Sequence, residues 1–140
     1  TLFPYTTLFR SYDENVFRLD YYGTIAEVEQ YVTEHLSGEL TLESIAKQVY
    51  LNPSYLSTMY HKSTGSTLFK FIQKERISKS LYLLCNSTMS IKEISEAVGF
   101  KDSNYFSKVF VRENGCSPRQ YLKKVAKGEI LQGDLQNEPV

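Results

Sequence analysis

The 140 residues contain no tryptophan, only two cysteines and two histidines, and four prolines. Cys85 and Cys116 stand 31 positions apart, which makes neither a disulfide framework nor a metal cluster. Both are expected to be free thiols, and His35 has no companion residues that would suggest a metal site. No apolar run approaches the roughly 20 residues that a membrane helix needs, which excludes a membrane-spanning helix. Glycine-rich phosphate loops, paired-carboxylate sites and nucleophile–base constellations are lacking too, so neither an enzyme nor a cofactor is expected. Even net charge is missing, since 16 Lys and Arg balance 16 Asp and Glu. Taken as an average, that balance argues against a nucleic-acid partner. What is present suffices for a core: 41% of residues are hydrophobic and 23% charged, in a length suited to one ordinary domain or two very small ones sharing an interface.

The zero is an average over segregated charge. Residues 1–39 carry two bases, Arg10 and Arg18, against seven acids. Residues 40–127 carry fourteen bases against six acids, a net of +8. Residues 128–140 carry three acids and no base. A basic block between acidic flanks is the pattern of an electrostatic footprint for phosphate.

The first eleven residues, Thr1–Ser11, fit no helical or strand period, and they resemble the translation of a short-read sequencing adapter. They are expected to lie outside the native fold. Residues 12–23 read as a residual linker from a preceding domain. From Thr24 onward the signals are helical. Thr24 with Glu27 has the form of a capping box, followed by an apolar stripe of Ile25, Val28, Val32 and Leu36. Thr41 opens a short helix with Leu42, Ile45, Ala46 and Val49 inward. Asn52-Pro53 starts another, with Leu56, Met59 and Tyr60 at core spacing and Gly65 at its end. A longer helix is predicted over 68–85, with Phe69, Ile72, Leu81 and Leu84 inward and Lys70, Lys74 and Lys79 outward. Ser90 with Glu93 begins the next, and Asp102 caps one that buries Phe106, Val109 and Phe110 and stops at Gly115. Pro118 begins a last helix, and residues 128–140 read as an acidic tail. With no strand-like alternation of useful length, the fold class is all-α, with about seven helices.

Two helix pairs repeat. Ile45, Val49 and Leu51 recur 49 residues later as Ile94, Val98 and Phe100. Tyr55, Leu56, Met59, Tyr60 and Gly65 recur 50 residues later as Tyr105, Phe106, Val109, Phe110 and Gly115. The one-residue change falls between the paired helices, where a turn tolerates insertion. Each unit is a short helix, a tight turn and a second buried-face helix, the pattern of a helix-turn-helix. A connecting helix of about 17 residues spans roughly 25 Å. With the width of the flanking units, that would set two recognition helices about one DNA turn, roughly 34 Å, apart.

Residues 24–124 resemble the DNA-binding domain of the AraC/XylS family of bacterial transcription regulators. The most specific stretch is Ile94–Phe110 followed by Gly115-Cys-Ser-Pro-Arg-Gln-Tyr121, and Leu42–Ala46 with Asn52–Ser57 fits as well. The chain departs at Leu122-Lys123, where the family often carries arginine. The resemblance implies an AraC-type domain over 24–127: a first helix-turn-helix at 41–65, a linker helix at 68–85 and a second helix-turn-helix at 90–115, in homeodomain-like halves.

Packing then leaves reading faces. In the first recognition helix Ser54, Ser57, Thr58 and His61 point outward, and the first three match the family's base-contacting positions. Their short hydroxyls bond several bases with little selectivity. In the second, Ser103, Asn104, Ser107 and Lys108 point outward and match the family's reading positions. Asparagine pairs bidentately with adenine, and lysine donates to guanine O6/N7 or to phosphate. Backbone contacts are expected from Lys62, Ser63, Lys74 and Arg112. Tyr55, Tyr60 and Tyr105 are expected to pack rather than stack on bases.

The family implies double-stranded promoter DNA as partner, RNA polymerase as a further one, and an effector or phosphorylation signal acting on a missing N-terminal domain, all in the cytoplasm. A different class of function also accommodates the pattern: an all-α module that contacts the transcription machinery without reading DNA.

Overall fold

The computed structural model describes residues 14–129, with side-chain environments from Tyr22 onward. Thr1–Ser11 and the acidic tail past Glu129 lie outside the described residues. Among the described residues seven helices follow one another: α1 Glu14–Glu34, α2 Leu42–Gln48, α3 Pro53–Thr64, α4 Leu68–Asn86, α5 Ile91–Ala97, α6 Ser103–Asn114 and α7 Pro118–Ala126. No strand occurs among the described residues. The chain divides into two compact units. The first holds α1 to α3 and the opening turn of α4; the second holds Leu36–Gly38 and everything from Gln73 onward.

In the first unit α1 packs against both α2 and α3. Its stripe of Ile25, Val28 and Val32 is buried, as are Ile45 and Ala46 of α2 and Leu56, Met59 and Tyr60 of α3. Tyr60 keeps its polar end satisfied by donating to Glu29 Oε1 at 3.0 Å. The first helix, however, does not start at Thr24. It runs from Glu14, and Gly23 and Thr24 sit inside it. A threonine caps only where the preceding backbone leaves the helix. Residues 14–23 contain no proline and a single glycine, which weakens a helix by about 1 kcal/mol relative to alanine without breaking it.

The other helix starts follow their capping residues. Thr41 and Ser44 close a reciprocal capping box on α2, Ser90 and Glu93 do so on α5, and Ser117 and Gln120 on α7. Asn52 accepts from the backbone of Ser54 and Tyr55 at the start of α3, where Pro53 supplies the preset φ of a first helical position. Asp102 accepts from Asn104 N at the start of α6. Both α3 and α6 end on a left-handed glycine, Gly65 and Gly115, each at φ 76°.

The repeat is reproduced bond by bond in the turns. Leu51 N donates to Ala46 O at 2.9 Å and Phe100 N to Ser95 O at 2.9 Å. Both are the six-to-one bond of a Schellman ending. The left-handed residue it demands is Gly99 in the second unit (φ 102°) and Tyr50 in the first (φ 56°).

The linker helix α4 buries Leu68 and Ile72 and then Gln73, Ile77, Ser80, Leu81 and Leu84. Phe69 is not among them. It is 63% exposed, because the inward stripe passes through Leu68, one position and about 100° away. The core of the second unit gathers Ile77, Leu81 and Leu84 with Ile94, Val98, Phe100, Phe106, Val109, Phe110, Cys116 and Tyr121. A run of rings threads it: Phe100 to Phe106 at 5.2 Å, Phe106 to Phe110 at 5.8 Å and Phe110 to Tyr121 at 5.8 Å between centroids. Such pairs add roughly 0.5–1.5 kcal/mol each beyond burial. Arg76 closes the unit by donating through Nε to Leu36 O at 3.1 Å and through Nη2 to Gly38 O at 3.2 Å. Desolvation by burial lowers its pKa from the ordinary arginine value.

Candidate nucleic-acid interface

Fixing three buried side chains per helix decides what α3 and α6 present to solvent. With Leu56, Met59 and Tyr60 inward, Ser54, Ser57, Thr58 and His61 are all exposed. These positions are spaced i, i+3, i+4 and i+7, one helical face. With Phe106, Val109 and Phe110 inward, Asn104 and Lys108 are exposed, while Ser103 and Ser107 are half-buried. Asn104 and Lys108 are an i, i+4 pair whose side chains have no hydrogen-bond or ion-pair partner among the described residues, which leaves their donors and acceptors available. Ser107 differs: its hydroxyl donates back to Ser103 O at 3.0 Å, so toward a base edge it presents an acceptor.

The expected backbone contacts are less uniform. Lys62 is exposed in the last turn of α3, Ser63 is half-buried beside it, and Lys74 is exposed on α4. Arg112, 58% exposed, is already engaged. Its Nη2 donates to Gln73 Oε1 at 2.7 Å, and its Nε lies 3.5 Å from Glu113 Oε1. Part of the guanidinium fork is thus committed within the protein before any phosphate arrives. Tyr60 packs as expected, whereas Tyr105 is 44% exposed and accepts a hydrogen bond from Gln73 Nε2 at 2.6 Å. Cys85 and Cys116 are free thiols, and burial pushes that of Cys85 upward. His35 stacks on Tyr31 within α1 and the following turn, its centroid 4.1 Å from the tyrosine ring.

A family model described as "Helix-turn-helix domain" matches residues 45–124, more than half of the chain and nearly all of both helix-turn-helix units. The arabinose operon regulatory protein of Escherichia coli is 34% identical over 98 residues, 69% of this chain and 34% of that protein. The chain belongs to the AraC/XylS family. Among solved structures similar to this AraC-type domain is the C-terminal domain of AraT, a response regulator from Geobacillus stearothermophilus. It matches with a TM-score of 0.69 and 35% identity over 72% of this chain and 84% of that one. The DNA-binding domain of AdpA, a global transcriptional factor solved in complex with a target DNA, matches with a TM-score of 0.69 and 26% identity. That match covers 74% of this chain and 94% of that one. The chain spans about a third of the length of the curated AraC-family relatives it matches.

One AraC-domain residue packed next to α6 escaped the sequence reading. Gln73, buried to 4% exposure, is bonded to both Tyr105 and Arg112 of α6. The signal was present: a polar amide at i−4 from Ile77 and i−8 from Leu81, on a stripe otherwise apolar or hydroxylated.

Proposed function

We propose that this chain is the DNA-binding part of a bacterial transcription regulator, and that α3 and α6 each enter a major groove, the two grooves being successive along promoter DNA. The observation that carries the reading is the pair of exposed polar faces on two copies of one helix-turn-helix, set in a block of net charge +8. Ser54, Ser57, Thr58 and His61 contact bases from the first unit, and Ser103, Asn104, Ser107 and Lys108 from the second. Asn104 and Lys108 carry most of the selectivity, because a bidentate amide and a long ammonium discriminate bases better than hydroxyls. Lys62, Ser63, Lys74 and the outer part of Arg112 hold phosphates and set register.

The domain takes in residues 24–127, with residues 12–23 joining it to a sensing or dimerising domain that receives an effector or phosphorylation signal. Thr1–Ser11 is adapter-derived. The protein acts in the cytoplasm on the nucleoid and contacts RNA polymerase. An all-α interaction module is not favoured, since the outward faces of α3 and α6 are mainly polar, with Tyr105 and Val111 of α6 as the partly exposed apolar exceptions.

Electrophoretic mobility shift with promoter fragments tests the assignment. Asn104→Ala and Lys108→Ala are each expected to cost about 1–3 kcal/mol on the preferred sequence and to relax preference at one base pair. Unchanged preference in both variants would remove α6 as the reading helix.

A further inference from the structure

The two hydrogen bonds of Gln73 form a clamp. Arginine can only donate, so Gln73 must turn Oε1 to Arg112, which directs Nε2 to the Tyr105 hydroxyl oxygen. The amide is buried at 4% exposure, and these bonds satisfy both of its ends. Tyr105 and Arg112 are seven residues apart, close to two full turns, and therefore lie on one face of α6 about 10 Å apart along its axis. All three residues belong to the same compact unit. We propose that Gln73 is a positioning residue for sequence recognition: held at two points by a single amide on α4, the second reading helix is fixed in rotation about its own axis. The inference rests on the reading of α6 as a DNA-recognition helix.

The physical reason is leverage. Asn104 precedes Tyr105, and Lys108 lies between the two clamped residues. A rotation of about 10° moves a side-chain tip some 6 Å from the helix axis by about 1 Å, enough to spoil a bidentate contact. The apolar contacts of Phe106, Val109 and Phe110 hold α6 against the core, yet apolar packing is less directional than a charge-assisted hydrogen bond. Arg112 on this account serves orientation through Gln73 besides any phosphate it meets.

The test is selection from a randomised duplex library, with affinities measured on the selected sequence, for the unaltered chain, Gln73→Leu, Gln73→Glu and Tyr105→Phe. Circular dichroism and denaturation midpoints accompany each. Gln73→Leu is expected to weaken binding about tenfold, the low end of the loss of one bidentate base contact. It flattens preference in the half of the site that Asn104→Ala also perturbs and leaves the other half as it was. Gln73→Glu recovers most of that preference, because a carboxylate accepts from both Arg112 and the Tyr105 hydroxyl. Tyr105→Phe shows a smaller loss of the same pattern, and it decides the matter if Gln73→Leu does not fold. Variants that keep full preference, or that lose it equally in both halves, overturn the inference alone. An unaltered chain that selects no sequence overturns the DNA-binding reading and the inference with it.

Discussion

Tyr50 and Gly99 occupy equivalent positions in the two turns, yet the same backbone conformation has opposite consequences for them. A Cβ on Gly99 would stand 2.0 Å from Leu36 O and 2.8 Å from Arg76 Nε, inside the contact that ties α4 to the segment after α1. Gly99→Ala combines that overlap with an unfavourable φ and is expected to destabilise the domain by about 2–5 kcal/mol. Tyr50 is 94% exposed and carries only the backbone strain. Tyr50→Gly relieves about 1–2 kcal/mol of it, offset by glycine's larger entropy in the unfolded chain, for a net gain of up to about 1 kcal/mol. Urea denaturation of the two variants reads the sign directly. A stabilising Gly99→Ala would contradict the packing of Arg76 against Leu36.

Helix boundaries record how far local rules reach. Gly23 lies inside α1, and a Cβ built there meets nothing within 4 Å. Gly23→Ala should therefore raise stability by about 0.5–1 kcal/mol in the same denaturation experiment, whereas a helix beginning at Thr24 would leave it unchanged. The boundaries set by Thr41, Asn52, Ser90, Asp102 and Ser117 were legible because each cap follows a turn that stops the preceding helix. Thr24 follows no such break, and its capping motif was overridden by continuing helix. Phe69 was misplaced for a related reason. Apolarity marks a residue for burial, but the face of α4 is set by the run from Ile72 through Ile77 to Leu84, to which Leu68 belongs and Phe69 does not. The outward faces of α3 and α6 could be found by subtraction, since three buried residues fix the phase of each helix. Gln73 stands out only as a polar amide on an inward stripe, because its two partners, 32 and 39 residues away, are not legible from local spacing.

At the scale of the whole molecule, zero net charge conceals the segregation that matters. Of the fourteen bases of residues 40–127, six fall in the two helix-turn-helix units and eight in the linker helix and residues 119–127, while the acids concentrate in the flanks. The family model over 45–124 falls within that basic block. A protein that neutralises phosphates releases condensed counterions, so its affinity must fall as salt rises, in proportion to the contacts it makes. Fluorescence anisotropy of this chain on a labelled selected duplex, titrated from low to moderate salt against an unrelated duplex, therefore tests DNA recognition most directly. The predicted result is tighter binding to the selected sequence and a linear fall of log K with log salt, with a slope near −5 for about six neutralised phosphates. A flat salt response, or equal affinity for both duplexes, would contradict it.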